Sequence, residues 1–231
     1  MIKRCLIEYV SRRLAHNKRA QLVKLPAEPV AKVNIGCGLS VAPGWINVDG
    51  SLNAWLANKP KWMRAVGYRA SGSNQYYSAE VYEQTLSGNR FVFQDITYGL
   101  PFADGSIDFV FSSHFVEHLS RTQAAQLLKE CWRVLKPGGI ARIAVPDLEY
   151  AWELYRRGDK ERMLHDYFFT DSDTAFSQHR YAYDFELMEK ALLEAGFQKV
   201  VRCQFQQGKT PDLQLLDNRG EYSLFVEATC E

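Results

Sequence analysis

The residues of this chain best suited to chemistry are a glycine turn, two acids that follow short apolar runs, and three histidines. Val33-Asn34-Ile35 runs into Gly36-Cys37-Gly38, and Ile46-Asn47-Val48 ends in Asp49. A β-branched strand that breaks into Gly-x-Gly lets another group approach the backbone closely, because neither glycine carries a Cβ. An acid at the tip of the next strand is placed to accept both hydrogen bonds of a ribose diol. A third signal, Gln94-Asp95-Ile96, follows Phe91-Val92-Phe93. There Asp95 suits an adenine amine and Ile96 suits the face of the ring. Together these three strand ends predict a nucleoside-cofactor site at the carboxyl edge of a parallel sheet. A dinucleotide fingerprint requires G-x-G-x-x-G, and its third glycine position is Val41 here.

These signals need an alternation of strands and helices to position them. Strands are predicted at 32–36, 45–49, 90–94, 107–112, 139–145, 197–206 and 221–229. Ser120 and Gln123 form a capping box. The helix behind it carries an apolar stripe of Ala124, Leu127, Leu128, Cys131, Trp132 and Leu135, and Pro137-Gly138-Gly139 is expected to stop it. A second helix starts at an Asp184 cap and ends at Gly196. This alternation predicts an α/β, doubly wound, mostly parallel sheet. Residues 1–30 read as a basic amphipathic helix and linker, and residues 31–231 as the main domain. Insertions at about 51–89 and 147–183 are rich in aromatic residues. They are expected to pack onto the domain or to shape an acceptor site.

Composition narrows the function classes. The 231 residues are 46% hydrophobic and 24% charged, with a formal net charge of +1, as in an ordinary globular protein. No basic stripe or nucleic-acid motif is visible in the main domain, so nucleic acid is not an expected partner. No apolar run approaches the ~20 residues of a membrane span, and the basic start lacks the apolar stretch of a secretory signal. Cysteines 5, 37, 131, 203 and 230 are odd in number and lack a C-x-x-C pair. That pattern fits reduced thiols and a cytoplasmic location. Seven basic side chains against Glu8 and Glu28 give residues 1–30 a charge of +5. They suit peripheral contact with an anionic surface, or else a helix laid over the core with its charges in water. The oligomeric state is not encoded in any pattern of the sequence.

The runs VNIGCG…PGWINVD, SSHFVEHL, ECWRVLKPGG and VPDLE resemble those of class I S-adenosylmethionine-dependent methyltransferases. The likeness is to a small bacterial methyltransferase-like group and extends over roughly residues 30 to 230. It implies a Rossmann-like, seven-stranded sheet whose last strand runs antiparallel beside the sixth. It also implies S-adenosylmethionine as cofactor and a small-molecule or glycan acceptor. Asn34, Gly36, Cys37 and Gly38 would form the floor under the methionine end. Asp49 would hold the ribose, Asp95 and Ile96 the adenine, and Ser113 the methyl side. Asn34 stands where the wider family usually has an acid, so it contributes no charge beside the cofactor's ammonium.

Methyl transfer is an in-line displacement that depends mainly on alignment, and a hydroxyl acceptor also needs a proton acceptor. His114, at the end of the fourth strand, is the first candidate for base or acceptor-positioning group. His118, one turn on, is the second candidate and is otherwise expected to bond across the loop layer; His179, in the loop before the Asp184 helix, is the third, placed with Tyr183 to touch the acceptor. Asp108, at the start of its strand, is at the wrong edge and reads as a turn residue. His114-Phe115-Val116-Glu117-His118 also spells the inverted zinc-protease motif. That motif needs a helix, whereas His114 falls at a strand-to-loop junction, so no metal site is expected. A protein that binds the cofactor without turnover, as a partner or regulator, is the alternative reading.

Overall fold

A computed structural model of the protein describes residues 22–25, 29–168 and 178–231. Most of the predicted basic N-terminal helix therefore lies outside the described residues. Seven strands form one sheet: β1 (Lys32–Ile35), β2 (Ile46–Asp49), β3 (Arg90–Phe93), β4 (Ile107–Ser113), β5 (Leu135–Pro146), β6 (Lys199–Cys203) and β7 (Ser223–Thr229), in the order β3-β2-β1-β4-β5-β7-β6. The β1–β2, β2–β3, β1–β4 and β4–β5 pairs are parallel. β7 is antiparallel to both β5 and β6. This is the doubly wound sheet expected from the sequence, including its reversed last strand.

The first half of the sheet is followed by α1 (Leu52–Ala57), α2 (Lys61–Ala70) and α3 (Ala79–Gly88), which fill the 51–89 insertion. α4 (Arg121–Val134) starts at the predicted box. Ser120 Oγ accepts from Gln123 N at 3.3 Å, and Gln123 Oε1 accepts from Ser120 N at 3.1 Å. Two orphan amides are satisfied reciprocally. Its buried face comprises Ala124, Leu127, Leu128, Cys131 and Val134. Trp132 departs from the predicted stripe: it is partly exposed and its ring covers Gly196. The stop also comes earlier than expected. α4 ends at Val134, and β5 already runs from Leu135 through Pro137-Gly138-Gly139. Lys136 precedes a proline, which disfavours helical backbone, and Leu135 pairs with Ile107 across a register shift.

The later insertion contains α5 (Leu148–Arg156), capped by Asp147, and a helical turn at Lys160–Met163. α6 (Phe185–Ala195) follows, with the Asp184 carboxylate accepting from Leu187 N at 2.8 Å. Its aromatics divide between burial and exposure: Tyr167 is buried, whereas Trp152 is exposed and stacked on Tyr155. Asp108, expected to be a turn residue, lies within β4 at the amino edge of the sheet, where its carboxylate accepts from Ala31 N and Lys136 Nζ. Among the described residues no helix is long and apolar enough to cross a membrane, and all four cysteines are free.

β5 and β7 bury a charge network that no sequence pattern announced. Arg142 is opposite Glu227 in the ladder and fully buried. It donates from Nε to Asp217 Oδ1 at 2.9 Å and from Nη1 to Glu227 Oε1 at 3.4 Å. The same guanidinium binds the carbonyls of Gln204 and Gln207. The carboxylates in turn accept from the amides of Gln206, Lys209 and Thr210. One arginine thus fixes the whole loop from β6 to β7. Removing a single partner leaves an uncompensated buried charge. Asp217→Ala is expected to cost about 3–5 kcal/mol of stability, read as a lowered midpoint in urea unfolding.

Candidate functional site

The parallel strands β1, β2, β3 and β4 end on the same edge, and the predicted residues collect there. Gly36 N donates to Val48 O at 2.9 Å, which carries the ladder one residue past β1. The chain then turns through Gly36 (φ +65°) and Gly38 (φ +54°). Asp49 fastens this turn, because its Oδ2 accepts from Gly38 N at 2.8 Å and its Oδ1 from Ser51 N at 2.6 Å. Gln94 N donates to the Asp49 carbonyl at 3.1 Å, so the tip of β3 joins the same rim. Gly36, Asp49 and Asp95 therefore belong to one continuous strand-end surface.

The two glycines serve different ends. A Cβ on Gly36 would lie 2.7 Å from Phe115 Cβ and still closer to the Phe115 ring, so its missing side chain admits that ring. A Cβ on Gly38 would meet nothing within 4 Å. The open approach predicted for both belongs to Gly38, where a ligand's atoms have room against bare backbone. Asn34 is buried, and its Nδ2 binds Ser40 O at 2.8 Å and Asn47 Oδ1 at 3.1 Å. Its amide braces the turn from beneath. Cys37 is also buried. Burial first, and then the Asp49 charge, push its thiol well above the usual range, so it remains protonated and packs as a small apolar group.

Asp95 caps a short turn, its Oδ1 accepting from Thr97 N at 3.0 Å and Thr97 Oγ1 at 2.6 Å. Ile96 behind it is buried. At the end of β4, the Ser112 and Ser113 hydroxyls are buried without a hydrogen-bond partner. A cradle at Gly38, an oriented carboxylate at Asp49 and an orphaned hydroxyl at Ser113 together suit an adenosyl ligand lying along the rim.

The histidines follow directly. His114 adopts φ +50°, rare for a residue with a Cβ, and its amide donates to Ala144 O at 2.9 Å. Its Nε2 lies 2.9 Å from Ser223 Oγ, and Ser223 donates onward to Arg219 O at 2.7 Å. Val116–His118 then forms a single tight turn, so His114 and His118 do not share a helical face as a zinc protease requires. Glu117 sits between them, 1% exposed, with neither carboxylate oxygen hydrogen-bonded. Its backbone carbonyl accepts from Arg180 N and Tyr181 N, which brings His179 against His118, their ring centres 5.0 Å apart. Burial pushes His179 below the usual imidazole range, with the Glu117 charge opposing it. The inverted motif drew attention to Glu117, whereas Ser223 and Tyr222, which touch His114 from the far arm, carried no sequence signal.

A family model described as a methyltransferase domain matches residues 48–143. Over that span the chain is similar to methyltransferases. It is 40% identical over 57 residues to a probable S-adenosylmethionine-dependent methyltransferase of Mycolicibacterium smegmatis, covering 23% of this chain and 21% of that protein. It is 43% identical over 60 residues to the biotin biosynthesis bifunctional protein BioHC of Cellvibrio japonicus, covering 23% and 12%. The matches thus span 21% and 12% of the length of these curated relatives. The methyltransferase SibL in its apo form aligns over 88% of this chain and 52% of its own at 20% identity, with a TM-score of 0.50, a likeness of fold.

The two glycines separate experimentally. Gly38→Ala is expected to cost about 1–2 kcal/mol, the strain of a left-handed residue in open space. Gly36→Ala adds an overpacking collision with Phe115, expected to cost about 1–3 kcal/mol more. Paired urea titrations measure the difference, and equal costs would remove Phe115 from the account.

Proposed function

We propose that this protein moves a methyl group from S-adenosylmethionine to a small-molecule or glycan acceptor, with the rim of β1, β2 and β3 holding the cofactor and the end of β4 facing the acceptor. The observation that carries this reading is the fastening of Gly38 and the β3 tip to one acid, Asp49, beside the open face of Gly38. When bound, S-adenosylmethionine supplies a methyl activated by its sulfonium.

The chain's own residues would do the rest. Asp49 is already oriented by two amides, so its remaining lone pairs are aimed without further loss of side-chain freedom when a ribose diol arrives. Asp95 would accept from the adenine amine while Ile96 packs against the ring. Asn34 and Cys37 shape the turn from below, Gly36 makes room for the Phe115 ring, and Gly38 leaves the methionine end unobstructed. Ser113 offers the methyl side a hydroxyl without another partner. His114 would position the acceptor or take its proton, with the Glu117 carboxylate 3.4 Å behind it. His118 and His179 would bound the acceptor side.

Asp49→Ala is expected to weaken binding of S-adenosylhomocysteine by about 1–3 kcal/mol, because the diol loses its acceptor. Titration calorimetry reads this directly, and an unchanged affinity would take Asp49 out of the site. Turnover is tested by release of S-adenosylhomocysteine across a panel of hydroxylated and amino acceptors. Tight binding without release on any of them would favour the regulatory alternative.

A further inference from the structure

We infer that Glu117, His118 and His179 form a binding site for one divalent cation of the zinc class. The proposal stands independently of methyl transfer.

The hydrogen bonds of the two imidazoles determine which nitrogens are free. His118 Nδ1 lies 3.2 Å from Gln178 O, and His179 Nδ1 lies 2.9 Å from Tyr167 O. A carbonyl only accepts, so each Nδ1 carries a proton and, in the neutral ring, each Nε2 keeps its lone pair. This is how metal-binding histidines are commonly oriented, with one ring nitrogen tied to a carbonyl and the other turned to the ion. One donor atom from each of Glu117, His118 and His179 lies within 4.8 Å of the other two. Donors 2.0–2.1 Å from one tetrahedral ion are separated by about 3.4 Å, so closure requires each side chain to draw in by roughly an ångström at most.

Glu117 supplies the independent observation. Its side chain is 2% exposed, and both oxygens lack a hydrogen-bond donor. A buried carboxylate without a donor or counter-charge is expensive. Among the described residues, His114 Nδ1 lies 3.4 Å and His118 Nε2 3.8 Å from Glu117 Oε1. Because the Ser223 hydroxyl proton is committed to Arg219 O, His114 donates from Nε2 to Ser223, and in the neutral ring its Nδ1 presents a lone pair. Lone pairs of His118 and His179 thus lie beside one unpaired carboxylate, and a cation among the three turns that repulsion into coordination. Two imidazoles with one carboxylate suit zinc, cobalt or iron(II) better than magnesium, which takes mainly oxygen donors.

The site also repairs the difficulty of reading His-x-x-Glu-His as a helical motif. The donors converge through a tight turn and a second loop, joined where Arg180 N and Tyr181 N bind Glu117 O.

The test uses the full chain, stripped of metal by chelator and dialysed. Addition of zinc is expected to give one bound equivalent by calorimetry and elemental analysis. Cobalt(II) is expected to show the intense visible absorption of a tetrahedral site. His179→Gln and His118→Asn should each weaken zinc binding by more than about 100-fold, beyond the 10–100-fold cost of disturbing a ligand's supporting partner. Circular dichroism of both variants without metal shows whether each is folded, and either folded variant suffices. Failure of the wild-type chain to take up an equivalent, zinc affinity unchanged in a folded variant, or preference for magnesium would each overturn the proposal. Calorimetry with S-adenosylhomocysteine on the metal-free protein is scored separately, so loss of the cofactor site and loss of the ion site read differently.

Discussion

Everything on the candidate site descends from the parallel pairing of β1 between β2 and β4. Parallel strands point their carboxyl ends the same way, so the residues that follow each strand meet at one edge. The register brings Ile35 beside Val48 and Ser112. Gly36 therefore leaves the sheet next to Asp49 on one side and Ser113-His114 on the other. A slip of one residue in this small core would turn the buried side chains of β1 to the opposite face. Hydrophobic burial of Val33, Ile35, Val48 and Val110 is thus what fixes the polar rim in place.

Much of this was legible. The α4 capping box, the Asp184 cap and Gly196 stop of α6, and the alternation of strands and helices along the chain follow from local chemistry that depends on nearest neighbours in sequence. Strand ends were readable to within a few residues, and the clearest error came at Leu135–Gly139. Glycines there suggested a terminator, but pairing with β4 and β7 made them part of a strand. Tertiary pairing overrode a local signal.

The site was legible in its members and not in their partners. Gly36, Asp49 and Asp95 announce themselves by residue type after apolar runs. That Asn34 spends its amide inside the turn, or that Gly36 admits Phe115 instead of a ligand, depends on contacts between segments. The Arg142–Asp217–Glu227 network and the approach of Ser223 to His114 link positions 75 to 109 residues apart. No local pattern encodes such distances. His114-Phe115-Val116-Glu117-His118 shows the converse: the motif is visible in one dimension, yet its geometry differs from the helix that the spacing suggests.

Phe115 gives the molecule a mechanical property. Its ring is seated against Gly36 on one side and its backbone continues into the turn that bears Glu117 on the other. Close-packed groups transmit displacement instead of absorbing it. The Gly36–Gly38 turn and the histidine-bearing turn are therefore two ends of one packed unit, joined at Phe115. A ligand that lifts either end by a fraction of an ångström must be felt at the other.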